Sequence, residues 1–301
     1  MHRSSALFRH YPNLRDTPLP EGPEIRRAAD ELAAVIAGQQ VTKIFFAFDH
    51  LKPYASRLQG KTICQVTARG KAILTRFSNG LTLYTHNQLY GRWLITTDDQ
   101  YPDSSRQLRL AIHTDKHTAL LYSASDISIL NDAELRQHPY VSRLGPDLLD
   151  PDVESEQLAA RLNEKQYRRR CLMGLLQDQR VMAGMGNYLC CEALHVAGIH
   201  PQHKPADLST NQLRRLAASC LHLIRQSYET GGITNDLERA TLLRQQGTPF
   251  EACRFHVYRR EGLPCYRCGT DIIKGKFCGR MSYLCPTCQR HSRAAAEIRR
   301  N

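Results

Sequence analysis

Two Cys-x-x-Cys turns, Cys265-Tyr-Arg-Cys268 and Cys285-Pro-Thr-Cys288, stand sixteen residues apart near the end of a 301-residue chain. Turns at that distance close a tetrahedral four-thiolate site on a β-hairpin, and such a donor set suits one structural Zn2+. With every coordination position filled by protein, the metal would hold the hairpin and leave no open position for chemistry. The other seven of the 11 cysteines (Cys64, Cys171, Cys190, Cys191, Cys220, Cys253 and Cys278) are scattered through periodic, partly apolar stretches. That split does not describe a secreted disulfide framework, so the reading is a reducing cytoplasm and a single metal site. Cys278 lies between the two turns and is expected to be a non-ligand.

Charge narrows the partner. Lys plus Arg number 41 and Asp plus Glu 29, a formal net charge of +12. Such an excess favours a polyanion such as nucleic acid. No stretch approaches the roughly 18–20 apolar residues of a membrane span. Lys274, Lys276 and Arg280 lie between the two Cys-x-x-Cys turns, where a small rigid loop would offer them to phosphates.

Along the chain, residues 24–37 place Ile25, Ala29, Leu32, Val35 and Ile36 at helical spacing before Gly38. Strand-like runs follow at 41–48, 62–68, 72–77 and 81–86, with a hairpin turn at Ser78-Asn79-Gly80. Residues 108–113 and 119–123 form a second pair around a turn at 114–117. Strands at this spacing predict an antiparallel sandwich or barrel. A Pro- and Asp-rich joint then gives way to helical periodicity at 155–163, 171–177, 187–197 and 211–230. The fold class is therefore α+β: an N-terminal antiparallel β-sandwich with flanking helices, a helical domain and a C-terminal zinc-finger hairpin. The expected divisions are an extension at 1–19, a sandwich domain at 20–145, a linker at 146–152, a helical domain at 153–252, a zinc finger at 253–290 and a basic tail at 291–301. Gly184-Met-Gly-Asn187 lacks the third glycine and preceding strand of a dinucleotide fingerprint. The histidines at 113, 117, 195, 200 and 203 are too loosely arranged to be read as metal ligands.

Four separated motifs carry a family resemblance: Pro20-Glu-Gly-Pro-Glu-Ile-Arg-Arg-Ala-Ala-Asp30, Arg69-Gly-Lys71-Ala, Leu81-Thr-Leu-Tyr-Thr-His-Asn-Gln-Leu-Tyr-Gly91 and Gly184-Met-Gly-Asn187. With Leu121-Tyr-Ser-Ala-Ser-Asp126 and the cysteine hairpin, they resemble the formamidopyrimidine-DNA glycosylase/endonuclease VIII family over residues 20–289. The opening residues and Gln88-Leu89-Tyr90 look like its oxidised-pyrimidine branch. The resemblance implies a helix–two-turn–helix domain and a monomer that clamps double-stranded DNA containing oxidised pyrimidines or abasic sites. It implies a bifunctional DNA glycosylase and AP lyase of base excision repair, cleaving the strand by β,δ-elimination. Pro20 would be the Schiff-base nucleophile, Glu21 the proton donor for base release, and Lys71 the proton donor for β-elimination. Arg280 would serve δ-elimination and grip phosphate. Glu24, Gln88, Leu89, Tyr90 and Asn187 would contact DNA, Gln88-Leu89-Tyr90 by filling the hole left by a flipped base.

The chain departs from that pattern at its start. An internal proline nitrogen is a tertiary amide and cannot form an iminium, so Pro20 needs to be N-terminal. Leucine codons can initiate bacterial translation, which makes Leu19 the expected initiator and residues 1–18 extraneous. If Met1 is retained instead, the alternative is a catalytically silent protein that binds damaged DNA.

Overall fold

The computed structural model describes residues 20–97 and 101–291. The extension at 1–19 and the tail beyond His291 lie outside the described residues. Helix α1 (Gly22–Ile36) starts on a Gly-Pro pair, where a missing proline N–H costs nothing. Its Ile25, Ala29, Leu32 and Ile36 are buried, and Gly38 at φ +77° turns the chain away from it.

Among the described residues, the N-terminal unit contains eight strands: β1 (Lys43–Phe46), β2 (Ile63–Arg69), β3 (Ala72–Phe77), β4 (Thr82–His86), β5 (Arg92–Thr96), β6 (Leu108–His113), β7 (Thr118–Tyr122) and β8 (Asp126–Leu130). They make two four-stranded antiparallel sheets, ordered β1-β6-β7-β5 and β2-β3-β4-β8. Short helices α2 (Tyr54–Leu58) and α3 (Asp132–Gln137) flank them. The turn at 78–80 joins β3 to β4 with Gly80 at φ +81°, and Arg76 pairs with Thr82 across it. Two strands escape the sequence periodicity. Along β5 every residue is half-buried, so no alternation marks it, and β8 follows β7 too closely to be separated by composition.

The second unit contains α4 (Ser155–Leu162), α5 (Leu172–Leu175), α6 (Asn187–Ala197), α7 (Thr210–Glu229), α8 (Leu237–Gln245) and α9 (Phe250–Cys253). Ser209 caps α7 by accepting from the Gln212 amide, while the Gln212 side chain accepts from the Ser209 amide. Helix α6 is buried from Tyr188 to Leu194 and runs through the centre of this unit. A two-stranded hairpin follows, β9 (Ile273–Phe277) with β10 (Arg280–Leu284). The hairpin is no separate body: Phe255, Val257, Cys265, Ile272 and Cys285 belong to the same core as the helices, which runs from Leu148 to Cys285. The sandwich core runs from Ile25 to Ile129, so the two cores part between Ile129 and Leu148. Among the described residues no helix is long and apolar enough to cross a membrane.

One buried side chain ties the helices to the cysteine segment. Glu192 on α6 is fully inaccessible, and its carboxylate accepts from the Thr234 hydroxyl and from the amides of His256, Val257 and Tyr258 at 2.7–2.9 Å. Removing it would take the acceptor from three backbone amides, that of Val257 buried, and a buried polar group left unpartnered costs about 1–3 kcal/mol. Glu192→Ala should lower the unfolding free energy by about 3–5 kcal/mol in denaturant titration. A loss below about 1 kcal/mol would show that these bonds do not hold the segment.

Candidate active site

The residues at the start of α1 meet the start of α6 across three glycines. Gly22 donates its amide to the Gly184 carbonyl at 2.8 Å, and a Cβ on Gly22 would lie 2.7 Å from the Gly184 Cα. A Cβ on Gly186 would fall on the Glu21 carboxyl group itself. The Gly-x-Gly-Asn segment is therefore a steric cradle that lets Glu21 lie against the N-terminus of α6. Gly184 needs its residue type twice over, since its φ is +94°.

In that cradle Glu21 is 3% exposed. Its Oε1 accepts from the Tyr188 amide at 2.9 Å and its Oε2 from the Leu189 amide at 3.4 Å. Amides at a helix N-terminus favour a charged carboxylate, and the Lys71 charge does the same. Burial outweighs both: desolvation, with Glu24 adding like charge, pushes the Glu21 carboxyl up from its ordinary 4.5 to about 8. Glu21 is consequently a neutral acid at pH 7, holding a proton it can give away.

Glu24 turns inward. Its Oε2 accepts from the Glu21 amide at 3.0 Å, its oxygens accept from the Tyr188 hydroxyl at 3.1 and 3.2 Å, and Arg27 pairs with it at 3.1 Å. The Tyr188 hydroxyl also meets Ser227 on α7 at 2.9 Å, and Arg27 donates to the carbonyls of Ser227 and Tyr228. These contacts lock the start of α1 onto the helical unit and set where Glu21 begins.

Lys71 sits in the β2–β3 turn, half-buried. Two residues that sequence reasoning missed fix that turn. The Tyr140 hydroxyl accepts from the Lys71 amide at 2.8 Å, and Asp147 Oδ2 accepts from the Gly70 amide at 2.8 Å. Gly70, at φ +60°, leaves room for the Tyr140 hydroxyl, which a Cβ would meet at 2.8 Å. Burial raises the Tyr140 hydroxyl to about 12, so it remains a neutral group. Both residues lie near the joint between the units, where an Asp among Pro and Gly reads only as a linker. Asp147 also bridges to Ala183, so the joint carries the Lys71 turn to the Gly184 cradle.

Gln88, Leu89 and Tyr90 form the turn leaving β4, with Gln88 at φ +50°. Gln88 is held by the Ser125 hydroxyl donating to its Oε1 at 2.8 Å, while Leu89 is 53% and Tyr90 68% exposed. Two large apolar side chains on a pinned turn form a projecting wedge and no part of the core. Asn187 opens α6 beside the Glu21 cradle, and Gln177 donates to its Oδ1 at 3.5 Å. Arg280 is exposed at the first position of β10, on the tip of the hairpin.

The sulfurs of Cys265, Cys268, Cys285 and Cys288 lie within 4.8 Å of one another. Cys265–Cys288 is 3.9 Å and Cys268–Cys285 is 3.4 Å. A tetrahedral zinc with bonds of about 2.3 Å needs sulfurs roughly 3.8 Å apart, so the four residues fit the ion. Cys278 stands outside this group. It is a non-ligand, as expected, and it forms a disulfide with Cys171, a bond that the reading of a reducing cytoplasm did not anticipate. They are 107 residues apart, a pairing that spacing alone does not reveal.

Two family descriptions match the chain: the formamidopyrimidine-DNA glycosylase N-terminal domain over residues 19–125 and the formamidopyrimidine-DNA glycosylase H2TH domain over residues 144–238. The chain belongs to the formamidopyrimidine-DNA glycosylase/endonuclease VIII family, the DNA glycosylases of base excision repair. Within it, the chain is 46% identical to endonuclease 8 of Escherichia coli K12 over 271 residues, spanning 90% of this chain and 100% of the relative. Endonuclease 8 of Salmonella enteritidis PT4 is 46% identical over 272 residues, again at 90% and 100%. Among solved structures, Lactococcus lactis formamidopyrimidine-DNA glycosylase with abasic-site DNA superposes with a TM-score of 0.74 at 22% identity, covering 90% of this chain and 100% of that one. The same enzyme with DNA containing an oxidised pyrimidine gives 0.75 at 22%, with the same coverage. These structures share the fold.

The raised Glu21 carboxyl has a consequence for stability. Its folded pKa lies above its unfolded one, so the penalty is absent below pH 4.5, grows between 4.5 and about 8, and is constant beyond. At about 1.4 kcal/mol per pH unit it reaches a few kcal/mol above pH 8. Glu21→Gln should therefore match the parent protein near pH 4.5 and exceed its unfolding free energy by about 2–4 kcal/mol at pH 9. A stability difference independent of pH would contradict the burial argument.

Proposed function

We propose that the chain, beginning at Pro20, is a bifunctional DNA glycosylase and AP lyase that removes oxidised pyrimidines from double-stranded DNA. The observation that carries this reading is a buried Glu21 adjoining Pro20 in sequence, its carboxyl pushed up to about 8 by burial, with the Lys71 charge near enough to act on it. A free proline nitrogen is a secondary amine that titrates near pH 8, so a usable fraction is neutral at physiological pH. It attacks C1′ of the damaged nucleotide while Glu21 delivers a proton to the opening sugar, and the base departs. The resulting iminium draws electrons from C2′, which loses a proton and expels the 3′ phosphate. Lys71 is assigned to proton transfer in that elimination. A second elimination expels the 5′ phosphate, with Arg280 supporting it from the hairpin.

Asn187 and Arg280 are assigned to phosphates on either side of the flipped nucleotide, and Gln88-Leu89-Tyr90 to the vacated stack. Glu24 is assigned to holding Glu21 in place, because its carboxylate is already taken by groups of the protein. The four cysteines are assigned to one structural Zn2+, which shapes the hairpin and takes no part in the reaction. The likeness of the opening residues and of Gln88-Leu89-Tyr90 to the oxidised-pyrimidine branch supports the choice of pyrimidines.

Borohydride reduction on abasic-site DNA tests the nucleophile. Protein whose first residue is Pro20 should give a covalent adduct mapped to that residue, and Glu21→Gln should release oxidised bases at least about a hundredfold more slowly. Protein that starts at Met1 should give no adduct. An equal adduct from both forms would place the amine elsewhere, and none from either would leave the protein a binder of damaged DNA.

A further inference from the structure

Cys171 and Cys278 have no part in the chemistry above or in the four-sulfur group, yet they join its two basic surfaces. Cys171 immediately follows Arg168-Arg169-Arg170, of which Arg168 and Arg169 are exposed. Cys278 opens the hairpin turn two residues before Arg280. Their Cα atoms are 6.4 Å apart, within the usual span of about 4.4–6.8 Å for a disulfide. The turn puts Cys278 at φ +49° and Gly279 at φ +79°, the conformation that Asn-Gly supplies most cheaply. Cysteine is a poor choice there on local grounds, so its sulfur accounts for its presence.

A two-stranded hairpin is marginal by itself. This one is held at its root by Cys268 and Cys285 and at its tip by the bond to Cys171. The root lies in the helical core, whereas Cys278 is exposed and open to small thiols and disulfides in solution. We propose that Cys171 and Cys278 form a reversible redox modification site that fixes the hairpin tip, and with it Arg280, for gripping DNA. This rests on the reading of Arg280 as a phosphate contact.

The step is thiol–disulfide exchange with a low-molecular-weight disulfide such as oxidised glutathione. The Cys278 thiolate attacks one sulfur, forming a mixed disulfide and releasing one glutathione thiolate. The Cys171 thiolate then attacks the Cys278 sulfur and releases the second. The two protons leave the cysteines and end on the two glutathiones, which take up the two electrons. Conditions that oxidise DNA bases thus also close the bond and tighten the grip.

The test uses zinc-loaded full-length protein equilibrated in glutathione buffers from fully reduced to fully oxidised, with zinc content checked at each end. Peptide mapping without reduction should show residues 171 and 278 crosslinked in the oxidised protein. Affinity for a duplex containing a tetrahydrofuran abasic analogue should fall about threefold to tenfold on reduction, the cost of releasing one or two ordered side chains. Cys171→Ser and Cys278→Ser should each bind like reduced protein at every buffer ratio. Absence of the crosslink across the whole range overturns the site. A crosslink with equal affinity in both states overturns its effect on the grip alone. No binding to the duplex in either state overturns the DNA-repair reading and, with it, the role given to Arg280.

Discussion

The carboxyl of Glu21, pressed onto the amides that open α6, is the contact on which the rest of the site depends. It joins the first residues of the sandwich to the central helix of the second unit, and it needs three glycines to exist. A helix N-terminus ordinarily holds an anion. Here Glu21 is buried deeply enough that desolvation exceeds the pull of two amides and a nearby lysine, and the carboxyl is pushed up to about 8. The result is an acid stored where the chain would have its reactive amine, at a cost in stability that rises with pH.

Around that contact the protein is braced from several sides. Glu24, Tyr188, Ser227 and Arg27 connect α1 to α7, while Tyr140 and Asp147 hold the Lys71 turn to the joint. Glu192 fixes the other side of α6 to the chain that leads into the cysteine hairpin. Residues drawn from the sandwich, the joint, the helices and the hairpin are thereby held in one arrangement, although two separate apolar cores support them.

Much of this was legible in the residues. Helices with clear periodicity and capping residues, such as α1 and α7, lie within about two residues of where the pattern puts them, and the cysteine spacing located the four-sulfur group. Glu21, Lys71, Gln88, Leu89, Tyr90, Asn187 and Arg280 could be named only by resemblance, because each is unremarkable in isolation. Burial of Glu21 depends on Gly186, 165 positions away, and no local pattern reports it. Tyr140 and Asp147 were missed for the same reason, since their work is done through one hydroxyl and one carboxylate oxygen on a distant turn. The Cys171–Cys278 bond was missed because odd cysteines in periodic stretches look like small apolar residues until the fold brings them together.

The proton on Glu21 is the central claim, and it is directly observable. Protein labelled with 13C at the glutamate carboxyls can be titrated by NMR, with Glu21→Gln identifying the resonance that disappears. A midpoint near pH 8 is the expected result. A midpoint near pH 4–5 would mean that the helix amides and Lys71 prevail over burial, and that Glu21 stands as a carboxylate with no proton to give.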